Sequence, residues 1–345
     1  MWEFNIHTSK TTLSGISNEI FKDMNVSESI PKLDMRKVHN YVRALESHYP
    51  STNPFHNAIH AADVGQSMYS FLRQDFASSF TPLEKFALVL AAFAHDVGHN
   101  GKNNDFLIKT QDPMATRFED QSPLENYHLC LARKLLEGSE VNFLCDLEPH
   151  DQERFQAILE KTILGTDNAL HFSKLKRFKA MVEEHDGVVD KDFLMEVLLH
   201  AADISNPCKL YEHGGPYKVW CDSVMAEFYA LGDLERKHGL SPTELFQRSK
   251  PVDEVQIGFT SFFVRPLYEA LGQVKGFDAT GMLANIDCNL AYWQRVKTAR
   301  ESPRVESSQT VTECGKRTKR RRRNAMVFSM LGKETVDFLQ TLVEG

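Results

Sequence analysis

The stretch FHNAIHAADV at residues 55–64 carries two histidines, His56 and His60, four residues apart. If this stretch is helical, both imidazoles project from the same face. The same spacing recurs in HDVGHNG at residues 95–101, and the apolar run VLLHAAD at residues 197–203 ends in a carboxylate. Imidazole and carboxylate groups are ligands that divalent ions accept, and two-metal hydrolytic sites combine them. Together the three stretches predict helices that meet at a metal site.

The composition is that of an ordinary globular protein. The 345 residues are 42% hydrophobic and 25% charged, which permits a sizeable core. The longest uninterrupted apolar run, residues 86–94, is far shorter than the ~20 residues of a membrane span, and no secretory signal opens the chain. Six scattered cysteines without a C-x-x-C motif indicate reduced thiols. These features predict an intracellular protein, either cytoplasmic or peripheral to a membrane.

The periodicity outside the three stretches is helical. Apolar residues recur at helical spacing over residues 35–49, and further helical patterns occupy residues 56–76, 217–231, 252–272 and 282–300. Three segments with a Ser/Thr-Pro-x-Glu pattern, residues 81–84, 122–125 and 241–244, are typical of a capping box with proline at the first helical position. No run alternates convincingly with period two, and no solenoid-length repeat occurs. We therefore predict an all-α domain of more than ten helices over residues 1–301.

The end of the chain differs in composition. Residues 302–325 are rich in Ser, Thr and charge, which predicts a basic linker, and residues 326–345 are expected to form a terminal helix or tail. Seven of the eight residues 316–323 are basic, so the remaining chain has 33 basic against 47 acidic residues, a net charge of -14. Such a body is a poor general binder of nucleic acid. The basic run itself is either a solvated segment or a contact for nuclear targeting, anionic lipid or a protein.

Five motifs occur in the order and rough spacing of class I cyclic nucleotide phosphodiesterases, which are all-α members of the His-Asp metallohydrolase superfamily. They are FHNAIHAADV (55–64), HDVGHNG (95–101), LENYH (124–128), HAADISNP (200–207) and VQIGF (255–259). The resemblance extends from Trp2 to about Trp293. It implies a compact multi-helix catalytic domain with a dinuclear metal site at the base of a deep pocket.

The resemblance also implies a division of metal ligands. The ligands of a tightly held Zn²⁺ would be His60, His95, Asp96 and Asp203. Asp96 would also reach a second ion, Mg²⁺ or Mn²⁺, completed mainly by water. This division is chemically sensible, because imidazoles suit zinc whereas magnesium keeps several waters and one or two carboxylates. A hydroxide bridging the two ions would attack phosphorus in line with the leaving 3′-oxygen.

Other family positions fall on residues around this centre. His56 matches the general acid that protonates the leaving oxygen, a task that suits a histidine titrating near neutral pH. The positions that hold metal-bound water match His99, Glu125 and His128, and further polar positions match Asn104 and Asp167. Gln256 matches the glutamine that hydrogen-bonds the purine edge. The two walls that clamp the base match Phe259 and Val224, and near the base pocket lie Asn206 and Asn289.

Three departures from the family pattern stand out. Gly98 occupies a position that is usually aspartate within H-D-x-D-H, which predicts weaker support for the metal ligands. Phe55 replaces a common tyrosine, and the loop at residues 241–250 lacks the usual Met and Asp near the pocket. None of the implied metal ligands is missing, which favours a working enzyme.

Several candidates have a structural alternative. The alternative for Asp203 is a capping residue before residues 205–207. The alternative for Glu125 is the glutamate at the third position of a capping box. Satisfied core histidines would explain His99 and His128, and an ordinary helix face would explain Gln256 and Phe259 at i and i+3. The remaining histidines lie in no motif and are interpreted as ordinary residues: His7, His39, His48, His150, His171, His185, His213 and His238.

The sequence therefore predicts hydrolysis of a 3′,5′-cyclic nucleotide to the 5′-monophosphate, as a step in cyclic nucleotide signalling. One alternative is a His-Asp phosphohydrolase acting on another nucleotide, which Gln256 and Phe259 argue against. The other, motivated by Gly98, is a cyclic-nucleotide-binding regulatory module without turnover. The amide of Gln256 can present either orientation to a purine, so cyclic AMP, cyclic GMP or both remain open, with cyclic AMP or dual use favoured. Because the chain begins almost at the first motif, we expect a catalytic fragment of a longer protein.

Overall fold

A computed structural model of the protein describes residue 6, residues 13–211 and residues 215–302. Within these ranges there are fifteen α-helices and no strand, which confirms the all-α prediction. The helices are α1 (Leu13–Asp23), α2 (Val26–Ser29), α3 (Met35–Ser47), α4 (Ala58–Leu72), α5 (Pro82–Ala94), α6 (Asn104–Lys109), α7 (Pro113–Arg117), α8 (Pro123–Leu135), α9 (Pro149–Leu164), α10 (His171–Glu184), α11 (Lys191–Asp203), α12 (Pro216–Lys237), α13 (Val252–Phe259), α14 (Arg265–Leu271) and α15 (Thr280–Glu301). The predicted linker and terminal segment, residues 302–325 and 326–345, lie outside the described residues apart from Ser302.

Helix α5 is the centre of the core, since nearly all of its side chains are buried. It packs against α4, α9 and α11, which surround it with further apolar side chains. The close approach of α4 depends on Gly65, where an added Cβ would lie 2.0 Å from the Phe93 ring. The start of α5 is the predicted capping box, because Thr81 Oγ1 accepts from the Glu84 N–H and Glu84 Oε2 accepts from the Thr81 N–H. The core thus fixes the end of α5, where His95 follows.

The first histidine stretch is only partly helical, contrary to the predicted helix over residues 56–76. Helix α4 begins at Ala58 because the Asn57 side chain accepts from the N–H groups of Ile59 and His60 and caps the helix. His56 therefore lies in the preceding loop and approaches His60 from outside the helix. His99 likewise follows the end of α5, beyond a turn in which Gly98 has φ +77°. Neither i,i+4 pair therefore lies within a single helix, and His95 and His99 belong to different clusters.

Two of the three predicted capping boxes are wrong. Ser122 has φ +41° and makes no cap hydrogen bond to its helix, since its hydroxyl donates to Asp167 instead. At residues 241–244 the Thr243 side chain donates to Glu235, and only a short 3₁₀ turn, Glu244–Phe246, follows. At Ser122 a partner distant in sequence takes the hydrogen bond that the local pattern assigns to the helix end, and at residues 241–244 no α-helix follows.

The predicted helix over residues 252–272 is interrupted at its middle. Helix α13 passes into a π-helical turn, Thr260–Val264, before α14 begins. Pro266 lies just beyond that turn. Because proline has no N–H and its ring clashes with the carbonyl four residues earlier, the regular hydrogen-bond ladder cannot continue through it. The wider turn changes which side chains of this segment face α10.

Candidate active site

Four side chains from three separate elements converge at the base of a cavity. His60 comes from α4, His95 and Asp96 from the end of α5, and Asp203 from the end of α11. His60 Nε2 and His95 Nε2 lie 3.0 and 3.3 Å from Asp203 Oδ1, and His95 Nε2 lies 3.1 Å from Asp96 Oδ2. One ligand atom from each of the four lies within 4.8 Å of the others. The predicted set thus forms one buried cluster able to hold a metal ion.

The electrostatics of the cluster suit a cation. His95 Nδ1 lies 2.9 Å from the Ala92 carbonyl, to which it donates, so Nε2 is the nitrogen that faces Asp96 and Asp203. Burial alone would raise the pKa of Asp96, but the facing imidazole of His95 outweighs burial and holds that pKa well below its usual value. The pKa of Asp203 is likewise lowered, since His95 and His60 outweigh its burial. Two carboxylates and two imidazoles are the kinds of ligand that Zn²⁺ and other divalent ions accept.

His56 is held at the edge of this cluster by Glu227, a residue of α12 that the sequence motifs did not indicate. His56 Nδ1 hydrogen-bonds to Glu227 Oε1, and Glu227 Oε2 accepts from the backbone N–H groups of Phe55 and His56 at 3.0 and 3.1 Å. Burial would lower the pKa of His56, but the Glu227 carboxylate raises it to about 9. The free Nε2 lies 4.0 Å from Asp96 Oδ2. His56 is therefore a protonated imidazole whose free N–H faces the metal cluster.

His99 and His128 flank the opposite side of Asp96. The His99 ring stacks on His56 with centroids 3.9 Å apart, and the Gly101 N–H donates to His99 Nδ1. His128 Nδ1 lies 2.9 Å from the Val97 carbonyl, while its Nε2 is buried, 3.6 Å from Asp96 Oδ1, and has no hydrogen-bond partner among the described residues. Burial lowers the pKa of both histidines, that of His128 to about 4. Neutral imidazoles directed at one carboxylate suit water held on an ion, and the unpartnered nitrogen supports that fit.

Glu125 joins this group without capping its helix. Its Oε2 accepts from Asn104 Nδ2 at 2.9 Å, and Asn104 Oδ1 accepts from the Leu124 N–H. Burial and the charge of Asp167 raise the pKa of Glu125 to about 8. Asp167 accepts from the Ser122 hydroxyl at 2.5 Å. The segment thus brings two carboxyl groups to one wall, of which Glu125 is protonated at neutral pH.

These residues line one cavity of about 720 Å³, a volume suited to a nucleotide-sized ligand. Of the predicted site residues, the cavity wall contains His56, Asp96, His99, Asn104, Glu125, His128, Asp167, Asp203, Asn206, Val224, Gln256 and Phe259. His60 and His95 lie directly behind the two aspartates. Asn289 does not line the cavity, because its amide is bonded to the backbone of Pro207, Lys209 and Tyr211. It supports the segment after α11.

The wall opposite the metal cluster is aromatic and amide-bearing. Gln256 is 4% exposed, and its Oε1 accepts a hydrogen bond from the Tyr217 hydroxyl at 2.6 Å. Phe259, one turn later, stacks on Phe263 with centroids 5.6 Å apart. Val224 lies on α12, at the same cavity. The arrangement pairs a flat apolar face with one fixed amide, which is the pattern that recognises a heterocyclic base.

Asn206 lies on the cavity wall, and one end of its amide is already hydrogen-bonded within the protein. Its Nδ2 donates to Asp63 Oδ2 at 3.1 Å, and the other oxygen of Asp63 pairs with the buried Lys209. The buried ion pair therefore fixes the orientation of the Asn206 amide. Its Oδ1 is left as the atom that can accept from a ligand.

The three departures from the family pattern have physical counterparts. Phe55 packs its ring on His60 with centroids 4.6 Å apart, so it supports a metal ligand without a hydroxyl. At Gly98 an added Cβ would lie 2.7 Å from the Leu131 side chain, which fills the space an aspartate would need. The loop at residues 241–250 contributes Glu244, Leu245, Phe246 and Lys250 to the cavity wall. None of these departures displaces a member of the metal cluster.

Comparison with known proteins identifies the arrangement. The model of the 3′5′-cyclic nucleotide phosphodiesterase family matches residues 55–286. Drosophila melanogaster 3′,5′-cyclic-AMP phosphodiesterase, isoform F, is 34% identical over 267 residues, which cover 74% of this chain and 40% of that protein. Rattus norvegicus 3′,5′-cyclic-AMP phosphodiesterase 4C is 34% identical over 266 residues, with 74% and 49% covered. The chain thus spans less than half of the length of the curated relatives it matches.

Among solved structures, the phosphodiesterase domain of Salpingoeca rosetta rhodopsin phosphodiesterase superposes with a TM-score of 0.81 at 30% identity. The superposition covers 87% of this chain and 93% of that domain. The structural similarity therefore extends over most of this chain.

Proposed function

The chain belongs to the 3′5′-cyclic nucleotide phosphodiesterase family, and on this premise we propose that it hydrolyses a 3′,5′-cyclic nucleotide to the 5′-monophosphate. The observation that carries the proposal is the set of residues that meet at one cavity. The metal-ligand cluster lies at its base, the protonated His56 lies at the edge of the cluster, and Gln256 and Phe259 line the same wall. A phosphodiester at the cluster and a purine against Phe259 would occupy the two ends together.

The donor set supports two divalent ions of different character. His60, His95, Asp96 and Asp203 would hold Zn²⁺, and Asp96 would also reach Mg²⁺ or Mn²⁺ beside His99, His128 and Glu125. When bound, the ions would neutralise the phosphate and lower the pKa of the attacking water. His99 and His128 are neutral, so they would orient metal-bound water through hydrogen bonds without adding positive charge to the site. Asn104 would keep Glu125 in place at the same wall, and the charge of Asp167 would favour its protonated form.

His56 is the proton donor in this account. An alkoxide leaves poorly without a proton, and the ring opens at the 3′-oxygen only if that oxygen is protonated as the bond breaks. Glu227 keeps His56 charged by bonding its Nδ1, so the proton available for transfer is on Nε2. Because Glu227 also fixes the His56 backbone, the donor is oriented before substrate arrives.

We infer that cyclic AMP is the preferred substrate. As placed, the Tyr217 hydroxyl occupies one lone pair of Gln256 Oε1, which leaves the other lone pair and both amide N–H groups for a base. The adenine edge presents an amino donor next to a ring-nitrogen acceptor and the guanine edge an acceptor next to a donor, so an amide that Tyr217 holds in one orientation fits only one of the two bases. The relatives compared above carry the name 3′,5′-cyclic-AMP phosphodiesterase, which supports the same choice.

We also propose an intracellular role in cyclic nucleotide signalling, cytoplasmic or at a membrane surface. Within the described ranges no helix combines the length and apolarity of a membrane span, and no disulfide joins the five cysteines there. The tail, residues 302–345, is proposed as accessory to catalysis, with its basic run contacting anionic lipid or a protein. Truncation after Ser302 should then leave kcat and metal content unchanged, and loss of either would contradict this assignment.

The test of the function is hydrolysis by the purified full chain of cyclic AMP, cyclic GMP and a deoxynucleoside triphosphate, with products resolved by chromatography. We expect 5′-AMP from cyclic AMP, loss of activity after chelation, and recovery with Zn²⁺ plus Mg²⁺. Turnover of the triphosphate alone would support a different phosphohydrolase. Binding of cyclic AMP without turnover by metal-loaded protein would support a regulatory module.

A further inference from the structure

Behind the aromatic wall lies a buried pair of histidines. His171, the first residue of α10, places its Nδ1 2.8 Å from Nε2 of His200 on α11. The two residues are 1% and 3% exposed. Burial lowers the pKa of His171 to about 3 and that of His200 to about 4, so both imidazoles are neutral. One ring donates an N–H to the facing nitrogen of the other ring. The pair is therefore a hydrogen bond between helices rather than a charged contact.

The pair is costly as a purely structural feature. The outer nitrogens, His171 Nε2 and His200 Nδ1, are buried and have no hydrogen-bond partner in the described part of the chain. A buried polar atom without a partner destabilises a fold, and two apolar side chains of similar shape would avoid that cost. Retention of two imidazoles at this place needs a further reason.

The His171 ring continues the aromatic stack of the cavity wall. Phe263 lies between two rings: its centroid is 5.6 Å from that of Phe259 and 4.7 Å from that of His171, with interplanar angles of 28° and 30°. Phe259 and Phe263 both line the cavity, Phe263 being 8% exposed, whereas His171 does not line it. The Phe172 ring packs against the side of the stack, with its centroid 4.9 Å from that of Phe263. The rings thus run from the cavity to His171 in one series.

The series starts at an irregular part of the backbone. Phe263 belongs to the π-helical turn Thr260–Val264, where the hydrogen-bond ladder is wider than in an α-helix. Phe263 stacks on Phe259 on one side and on His171 on the other, so the side chain behind Phe263 bears on the position of Phe259. His171 is that support, and its hydrogen bond to His200 ties the support to α11, which ends in the metal ligand Asp203.

We propose that His171 is a positioning residue for the base: it fixes Phe259 through Phe263 and ties this wall to α11 through His200. The inference rests on the proposed function, because it assumes a base stacked on Phe259. His171 touches neither the phosphoryl end nor the metal cluster in this account. Its loss should weaken recognition of the base and leave the chemistry at phosphorus intact.

The experiment compares two substrates of the metal-loaded full chain: cyclic AMP and bis(p-nitrophenyl) phosphate, a phosphodiester without a purine. For His171→Ala we expect the KM for cyclic AMP to rise about tenfold, in line with partial loss of one base–aromatic stack. The kcat for cyclic AMP, the metal content and the rate on the base-free ester should change less than about twofold. His171→Phe keeps a ring behind Phe263 and should recover most of the KM.

A matched control separates positioning from general destabilisation. His39 on α3 also has a buried nitrogen, Nδ1, without a partner among the described residues, and it lies outside the cavity wall. His39→Ala should leave the KM for cyclic AMP unchanged. If wild type is active, the inference would be overturned by an unchanged KM of His171→Ala for cyclic AMP, or by an equal loss of activity on both substrates. Either result would leave the proposed function standing. Wild type that hydrolyses no cyclic nucleotide would overturn the proposed function and this inference with it.

Discussion

Glu227 holds His56 at two points: Oε1 accepts the imidazole Nδ1–H, and Oε2 accepts the backbone N–H of the same residue at 3.1 Å. The two contacts have different effects on His56. The first keeps the imidazole charged, and the second fixes where the loop before α4 places it. Because Glu227 lies 171 residues further along the chain, this link is made only by the folded protein.

Removal of the Glu227 charge should change the pH dependence of turnover. A general acid acts while protonated, so activity falls as pH rises through its pKa, which is about 9 for His56. Glu227→Gln removes the main cause that raises this pKa, so the alkaline limb of kcat should move about one pH unit or more toward neutrality. The measurement is a pH–rate profile at saturating cyclic AMP. Glu235→Gln, which changes another buried glutamate of α12, should leave the limb in place, and an unmoved limb in Glu227→Gln would refute the assignment.

Asp203 should be needed for metal retention. Its Oδ1 lies 3.0 Å from His60 Nε2 and 3.3 Å from His95 Nε2, so its loss removes one of the two carboxylates that face both imidazoles. Asp203→Ala is expected to lose the tightly bound ion and nearly all turnover. Metal content per folded molecule checks this, with Asp192→Ala at the other end of α11 as the control that keeps its metal. A variant at position 203 with stoichiometric zinc and normal kcat would rule out the ligand set.

Tyr217 should control the choice between purines. Tyr217→Phe removes the hydroxyl that bonds to Gln256 Oε1, so the amide is free to rotate. We expect the ratio of kcat/KM for cyclic AMP over cyclic GMP to fall by about fivefold, the effect of one lost buried hydrogen bond. Tyr268→Phe removes another buried hydroxyl, which bonds to the Ala201 carbonyl outside the cavity, and should leave the ratio unchanged. An unchanged ratio in Tyr217→Phe would show that the amide is oriented by other contacts.

Introducing at position 98 the aspartate expected from the family pattern should not strengthen the metal site. Gly98 has φ +77°, and its Cβ position is crowded by Leu131 and Tyr127. Gly98→Asp is therefore expected to lower the free energy of unfolding by about 1–3 kcal/mol and to lower Tm. Gly239→Asp has a similar φ, +73°, but open space, so the difference between the two variants isolates the crowding. Tighter metal binding by Gly98→Asp at unchanged Tm would contradict this reading of the site.

The sequence was sufficient for the fold class and for the metal cluster, because His60, His95, Asp96 and Asp203 lie in short motifs attached to strongly apolar helices. Local patterns failed where a distant partner competes. Ser122 matches a capping residue, yet its hydroxyl donates to Asp167 45 residues away. Glu227 and Tyr217 belong to no motif, and only the packing of α12 against the cavity reveals their partners.

The most direct test of the account separates the proton donor from the metal ligands. His56→Ala should lower kcat for cyclic AMP by about 10²–10⁴ and leave metal occupancy near wild type, whereas His60→Ala should lose both. On a cyclic nucleotide with a 3′-thiolate leaving group, which needs less proton donation, the His56→Ala defect relative to wild type should shrink. An equally large defect on both substrates would contradict the account, because His56 would then position substrate or metal rather than donate a proton.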